Sequence, residues 1–349
     1  MKTFREFFGF ATLVTVICLA IAAWDGYARG GHTLAALANA LVIAVLLGVL
    51  EISLSFDNAV VNASVLRTMS EKWQKRFLLW GILIAVFGMR FIFPIVIVAL
   101  TSGLGMGEVI REAFGNPDIY AEHLEKAHVA ISAFGGAFLM MVFLKYFMDP
   151  DKEEHWLTPL ERPLGRIGKL DTVQAVIVGA LLLILTHLFV APAEQFQALT
   201  AGLVGLLVYL VMDAIGNLFE TDNLATKAGA AGLASFLYLE ILDASFSLDG
   251  VIGAFALTKD IVLIAAGLTI GAIFVRSLTV MMVKKGTLEA YRFLEHGAHY
   301  GIGALAVIML LSMNRDIHIP EVVTGLIGAG FIVLAVWASL VANRRESLN

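Results

Sequence analysis

The sequence predicts an all-α fold: a polytopic membrane bundle of about ten helical spans arranged as an inverted internal repeat. Three observations carry this expectation. Of 349 residues, 59% are hydrophobic and 15% charged, with mean hydropathy +0.85, whereas an ordinary soluble domain is about 45–50% apolar and about 25% charged. Apolar runs such as 7–24, 82–100 and 322–342 reach the roughly 20 residues that a helix needs to cross a bilayer. Finally, one pattern of polar residues occurs twice, five spans apart. The composition excludes a disordered chain and, with Cys18 as the single cysteine, a disulfide scaffold. A net charge of −5 gives no basic footprint for nucleic acid; the partner implied by composition is the lipid bilayer.

Taken in order, the first span (7–24) follows Lys2 and Arg5 and resembles a secretory signal, but it is long for one and is read as membrane-spanning. The second (35–61) carries Glu51, Ser55, Asp57 and Asn58. The third (77–100) contains Arg90, and Ala127 and His128 open the fourth (128–147). The fifth (173–190) holds His187. The sixth (199–216) ends near Asp213 and Asn217, a solvated end or an access vestibule. Glu240, Asp243, Ser247 and Asp249 lie in the seventh (230–257), Arg276 in the eighth (261–283), and Ala298 and His299 at the start of the ninth (298–313). The tenth covers 321–342. Flanks on the side of both termini hold 17 Lys and Arg against 5 on the other. The positive-inside rule therefore places both termini in the cytoplasm, for a multi-pass protein of the bacterial inner membrane.

The repeat is legible in the polar residues. Glu51, Ser53, Ser55, Asp57 and Asn58 match Asp243, Ser245, Ser247, Asp249 and Gly250 in spacing. Gly81 precedes Arg90 by the same distance that separates Gly267 from Arg276, and Ala127–His128 corresponds to Ala298–His299. Because corresponding spans are five apart, the two copies run oppositely through the membrane, as in many secondary transporters. The expected halves are 1–190 and 191–349 (5+5, with a 3+3 core).

An Asp or Arg at mid-bilayer costs about +2.5 to +3.5 kcal/mol on insertion scales. Spans two and seven carry five acids, Glu51, Asp57, Glu240, Asp243 and Asp249, against Arg90 and Arg276 in spans three and eight. The excess of negative charge calls for protons, water or a bound cation. Glu51, Ser55 and Asn58 share one helical face, as do Asp243, Ser247 and Gly250. Asp57 and Asp249 are turned off that face, so joining them to it requires a local helix break or a wide cavity. A break beside Asn58 and Gly250 would free carbonyl oxygens. Oxygen-rich ligand sets suit Mn²⁺, Ca²⁺ or Mg²⁺. The two arginines either pair permanently with acids or compete with the cation for them.

Other features carry less. Gly103, Gly105 and Gly107 lack a nucleotide-site context. His296 and His299 lack the Glu placement of a metalloprotease. The loop 148–171, with Pro150, Pro159 and Pro163, reads as a solvated linker, and 101–126 as a solvated face or a short surface helix. No spacing suggests a catalytic triad or a prosthetic group, and the chain is read as a non-enzyme.

The paired acidic segments, with the two span arginines, resemble the TerC family of integral membrane proteins and the branch grouped beside it in the lysine-exporter-like superfamily. The resemblance covers roughly residues 35–313. It implies metal-ion handling: Mn²⁺ efflux, tellurium resistance or metal supply to exported enzymes. By motif it places ion binding at Glu51, Asp57, Asn58, Asp243 and Asp249, with Ser55, Ser247, Glu240, Arg90 and Arg276 supporting or gating. The expected function is export of a divalent cation, Mn²⁺ first, by alternating access of two inverted halves. A metal-binding scaffold for metal loading or stress response, and an exporter of an organic cation or amino acid, are the alternatives.

Overall fold

The computed structural model describes residues 2–168, 172–220, 225–317 and 319–346, and among them every regular element is helical. Helix α1 (Lys2–Arg29) is followed by α2 (Leu34–Leu54) and α3 (Phe56–Thr68), which meet at Ser55. Helix α4 (Glu71–Leu83) continues through a π-helical segment (Ile84–Ile92) into α5 (Phe93–Ser102). Next come α6 (Met106–Gly115), α7 (Pro117–Phe147), α8 (Thr158–Ile167), α9 (Val173–Phe189), α10 (Gln195–Glu220), α11 (Ala225–Leu257) and α12 (Ile261–Lys285). The short α13 (Thr287–Ala290), α14 (Leu294–Leu311) and α15 (Glu321–Glu346) complete the chain.

Local signals set several boundaries. The Thr33 hydroxyl accepts the Ala36 N–H at 3.2 Å and starts α2. Asp260 accepts the Val262 and Leu263 N–H groups at 2.9 and 3.3 Å and starts α12, each satisfying donors that the first turn leaves free. Gly286, at φ +61°, ends α12 in the left-handed conformation that favours glycine.

Among the described residues, eight helical stretches are long and apolar enough to cross a membrane, which makes the fold a polytopic helical bundle. The remaining two of the ten expected spans differ for separate reasons. Helix α9 has 17 residues, about 25 Å at 1.5 Å per residue, short of a hydrocarbon layer of about 30 Å. Helix α11 is long enough, but the side chains at both ends of its apolar stretch, 225–230 and 247–249, lie outside the described residues. The region 101–126 is largely helical: α6 occupies part of it, and α7 begins at Pro117, well before the expected start of the fourth span.

Helices α7, α12 and α14 form the centre, with 78%, 67% and 67% of their most apolar stretches buried, against 17–28% for the other five candidate spans. The outer helices turn large apolar side chains outward, such as Val42, Val49, Leu79, Trp80, Leu183, Leu326 and Trp337. Small residues let the central helices approach closely, as membrane helices commonly do. Gly48 of α2 lies against Ile270 of α12, and Gly136 of α7 against Leu310 of α14.

Candidate functional site

Glu51, Ser55, Asn58 and Asn62 follow one another at helical spacing along α2 and α3. They line a buried cavity together with Ala85 and Arg90 of the π segment, Asp243 and Phe246 of α11, and Ala272, Val275, Arg276 and Thr279 of α12. Its volume is about 20 Å³, room for roughly one water-sized guest. The two acidic segments of the sequence therefore meet inside the bundle.

Two arginines cross-link this cavity. Arg90 Nη2 pairs with Glu51 Oε1, and the Ser55 hydroxyl donates to the same oxygen at 3.3 Å. Arg90 Nη1 donates to the Ala85 carbonyl at 2.8 Å. Arg276 Nη2 donates to Asp243 Oδ2 at 2.8 Å and to Glu240 Oε1 at 3.2 Å. Its Nη1 donates to the Phe77 carbonyl at 3.3 Å, and its guanidinium stands 4.1 Å from the Phe77 ring centre, close enough for a cation–π contact. Asp243 is thus paired with Arg276 as Glu51 is with Arg90, at corresponding positions of the two segments. Asn58 and Asn62 cross between the segments: their amide nitrogens donate to Asp243 Oδ1 at 2.7 and 2.9 Å.

Several polar atoms of the site are left over. Asn58 Oδ1, Asn62 Oδ1, Arg90 Nε and Glu240 Oε2 are buried without a hydrogen-bond partner. An orphaned buried group costs about 1–3 kcal/mol. The asparagine oxygens are acceptors only, so the guest they fit is a donor or a cation.

Glycines make room for the charged heads. A Cβ on Gly81 would stand 1.8 Å from Arg276 Nη1, and one on Gly271 would stand 2.4 Å from Glu51 Cγ. Any side chain at these positions collides with the ion-pair network.

Other residues depart from expectation. Asp57 is buried but lies apart from the cavity. Its Oδ2 sits in a niche between Gly301 of α14 and Gly328 of α15, 2.9 and 3.1 Å from where a Cβ on each would stand. Its Oδ1 accepts the Asn58 N–H at 2.9 Å. The helix breaks not beside Asn58 but three residues earlier, at Ser55, where α2 ends and α3 begins. At the Ser55 junction (φ −104°, ψ 16°) the Ser55 N–H still reaches the Glu51 carbonyl at 3.0 Å, and the Ala59 N–H reaches the Ser55 carbonyl at 3.1 Å. From Phe56 onward the backbone is regular helix, past Asn58, and Asp57 keeps its orientation off the Glu51 face. Helix α11 likewise runs unbroken past Gly250. The side chains of Ser247 and Asp249 lie outside the described residues, as does that of Asn217.

Asn62 is the residue that sequence reasoning missed, although its place one turn beyond Asn58 on the Glu51 face was the available signal. Among the described residues, no group of three or more His, Cys, Asp or Glu side chains is placed to hold a metal ion. His299 stacks on Tyr146 at 3.6 Å and its Nδ1 faces the Glu295 carbonyl, and His128 lies 3.4 Å from the Ser132 hydroxyl. Asp213 pairs with Lys145 at 3.2 Å.

The loop following α7 is not a plain solvated linker. Glu161 of α8 is 1% exposed and accepts from the Trp156 and Leu157 N–H groups and the Tyr300 hydroxyl at 3.2, 3.0 and 3.0 Å. Lys152 and His296 lie at 3.4 and 3.5 Å. Burial pushes this carboxyl up, but the hydrogen bonds from His296 and Leu157 and the charge of Lys152 outweigh it and hold Glu161 down at about 2. The polar network therefore pins this loop to α14.

Residues 56–346 match the family described as "Protein of unknown function (DUF475)". The chain belongs to this family. The part matched to DUF475 contains Asp57, Asn58, Asn62, Arg90, Glu240, Asp243 and Arg276, while Glu51 lies just upstream of it. No curated protein and no solved structure matches the chain.

Proposed function

We propose that this DUF475 protein is a transporter of the bacterial inner membrane, with both termini cytoplasmic, that exports a divalent cation by alternating access of two inverted halves. Mn²⁺ is the first candidate, ahead of Ca²⁺ and Mg²⁺. The observation that carries the reading is the cavity, where two orphaned asparagine oxygens stand beside paired carboxylates inside an apolar bundle. The charged groups that line the cavity balance, Glu51 and Asp243 against Arg90 and Arg276, and Glu240 behind Arg276 adds one further acid to the network. In this arrangement the cavity has room for a guest the size of an ion or a water. The resemblance of the acidic segments to the TerC family supports the same class of cargo.

In the arrangement described, each of these carboxylates already has a guanidinium partner, so the cargo has to replace one of them. Mn²⁺ flux into proteoliposomes tests the proposal. Wild type is expected to carry Mn²⁺, whereas Asp243→Asn and Asp249→Asn insert normally and carry none. Wild-type flux in both variants, or no flux in wild type, refutes export. Mn²⁺ binding without flux in wild type instead identifies the metal-loading scaffold.

A further inference from the structure

The two buried arginines are held unequally. Arg276 is gripped by two carboxylates, a backbone carbonyl, an aromatic face and the space left by Gly81. Arg90 has one carboxylate, Glu51, and one carbonyl, Ala85, with its Nε buried and unpartnered.

Their helices differ too. Arg276 sits in the regular α12, whereas Arg90 sits in the π-helical segment Ile84–Ile92. π geometry is rare and concentrates at functional sites. Pro94 follows Arg90 by four residues. It has no N–H for the Arg90 carbonyl, and its ring crowds that carbonyl in an α-helix. The ladder is therefore widened where the gating charge is mounted. A slip of one residue between π and α register turns the following residues by about 100°, enough to take a guanidinium off its partner.

We propose that Arg90 is a tethered stand-in for the cargo. It occupies the seat at Glu51 that an incoming inorganic cation takes, and the π segment carries it away, while Arg276 remains as a fixed counter-charge. The vacated seat offers the Glu51 carboxylate, the Ser55 hydroxyl and Asn58 Oδ1 along one face of α2 and α3. These are all oxygen donors, suited to a hard divalent ion. The inference rests on the cation-transport reading.

The test is Mn²⁺ binding to the full chain in nanodiscs, with Mn²⁺ flux measured in parallel. Arg90→Gln is expected to bind Mn²⁺ at least about tenfold tighter than wild type, because a full positive charge beside the seat is gone, while its flux falls. Arg90→Lys, which keeps the tethered charge, is expected to return affinity to near the wild-type value, and Arg276→Gln to show no gain. Wild-type binding with equal or weaker binding by Arg90→Gln overturns the stand-in role and leaves the transport reading intact. No Mn²⁺ binding by wild type overturns both. Hydrogen exchange on wild type needs no variant to fold. Saturating Mn²⁺ is expected to change exchange in 84–92 and leave the α12 amides around Arg276 unaltered, and an unchanged 84–92 refutes the moving segment.

Discussion

Replacing Gly81 with alanine probes whether Arg276 is fixed. The new methyl carbon would lie 1.8 Å from Arg276 Nη1, 2.7 Å from its Cζ and 2.6 Å from Glu240 Oε1. A guanidinium at the end of a free side chain would swing aside at little cost. Arg276 is not free, because Glu240, Asp243 and the Phe77 carbonyl hold it on other sides. Breaking a buried ion pair costs about 3–5 kcal/mol, while glycine-to-alanine replacement in a helix returns about 0.4–1 kcal/mol through the unfolded chain. The expected net loss is about 2–4 kcal/mol. Gly179→Ala in α9 is the control, since nothing lies within 4 Å of its added carbon, and it should be neutral or slightly stabilising. Unfolding in detergent, followed by intrinsic fluorescence across a denaturant series, separates the two. Equal stability of Gly81→Ala and Gly179→Ala would show that Arg276 has room to move and would refute the fixed counter-charge.

Further expectations follow from other contacts. Asn62→Ala removes a donor to Asp243 and an orphaned oxygen of the cavity; it should lower Mn²⁺ affinity about tenfold, on the order of 1.4 kcal/mol, with normal membrane insertion, and unchanged affinity counts against a part for Asn62 in cation binding. Gly301→Ala places a carbon 2.9 Å from Asp57 Oδ2 and should destabilise the bundle by about 1–3 kcal/mol, as read by the same denaturant series. Glu161 titrates at about 2 when folded against an ordinary 4.5, so its contribution is fully present above pH 4.5 and lost as pH falls from there toward 2. That contribution is on the order of 3 kcal/mol. Glu161→Gln should therefore be less stable at pH 7 and show a flatter acid limb, and parallel acid limbs for the two proteins would contradict the assignment.

Much of the architecture was legible because membrane helices announce themselves by length and apolarity. Similarly, charged residues inside such helices are too costly to be incidental, so the sequence already points Glu51, Arg90, Asp243 and Arg276 to one another. Asp57 did not follow, because the same motif spacing that suggested a shared site also turns it toward Gly301 and Gly328, and the break at Ser55 leaves it on the regular start of α3. The π segment had only Pro94 to announce it, and a proline near a span end has several structural outcomes. Glu161 was illegible for a different reason: a carboxylate in a proline-rich stretch looks solvated until Tyr300 and His296 arrive from the distant α14 to join the nearby Lys152.

Helix α7 spans 31 residues, about 46 Å, and α6 folds against its N-terminal end through Val109 and Ala113. That length exceeds a hydrocarbon layer of about 30 Å by about three helical turns, and α6 with the first turns of α7 forms a ledge at one end of the bundle. A nanobody raised against this ledge, or a compact domain spliced in at the Gly115–Asn116 turn, would give a small particle an asymmetric landmark for image alignment.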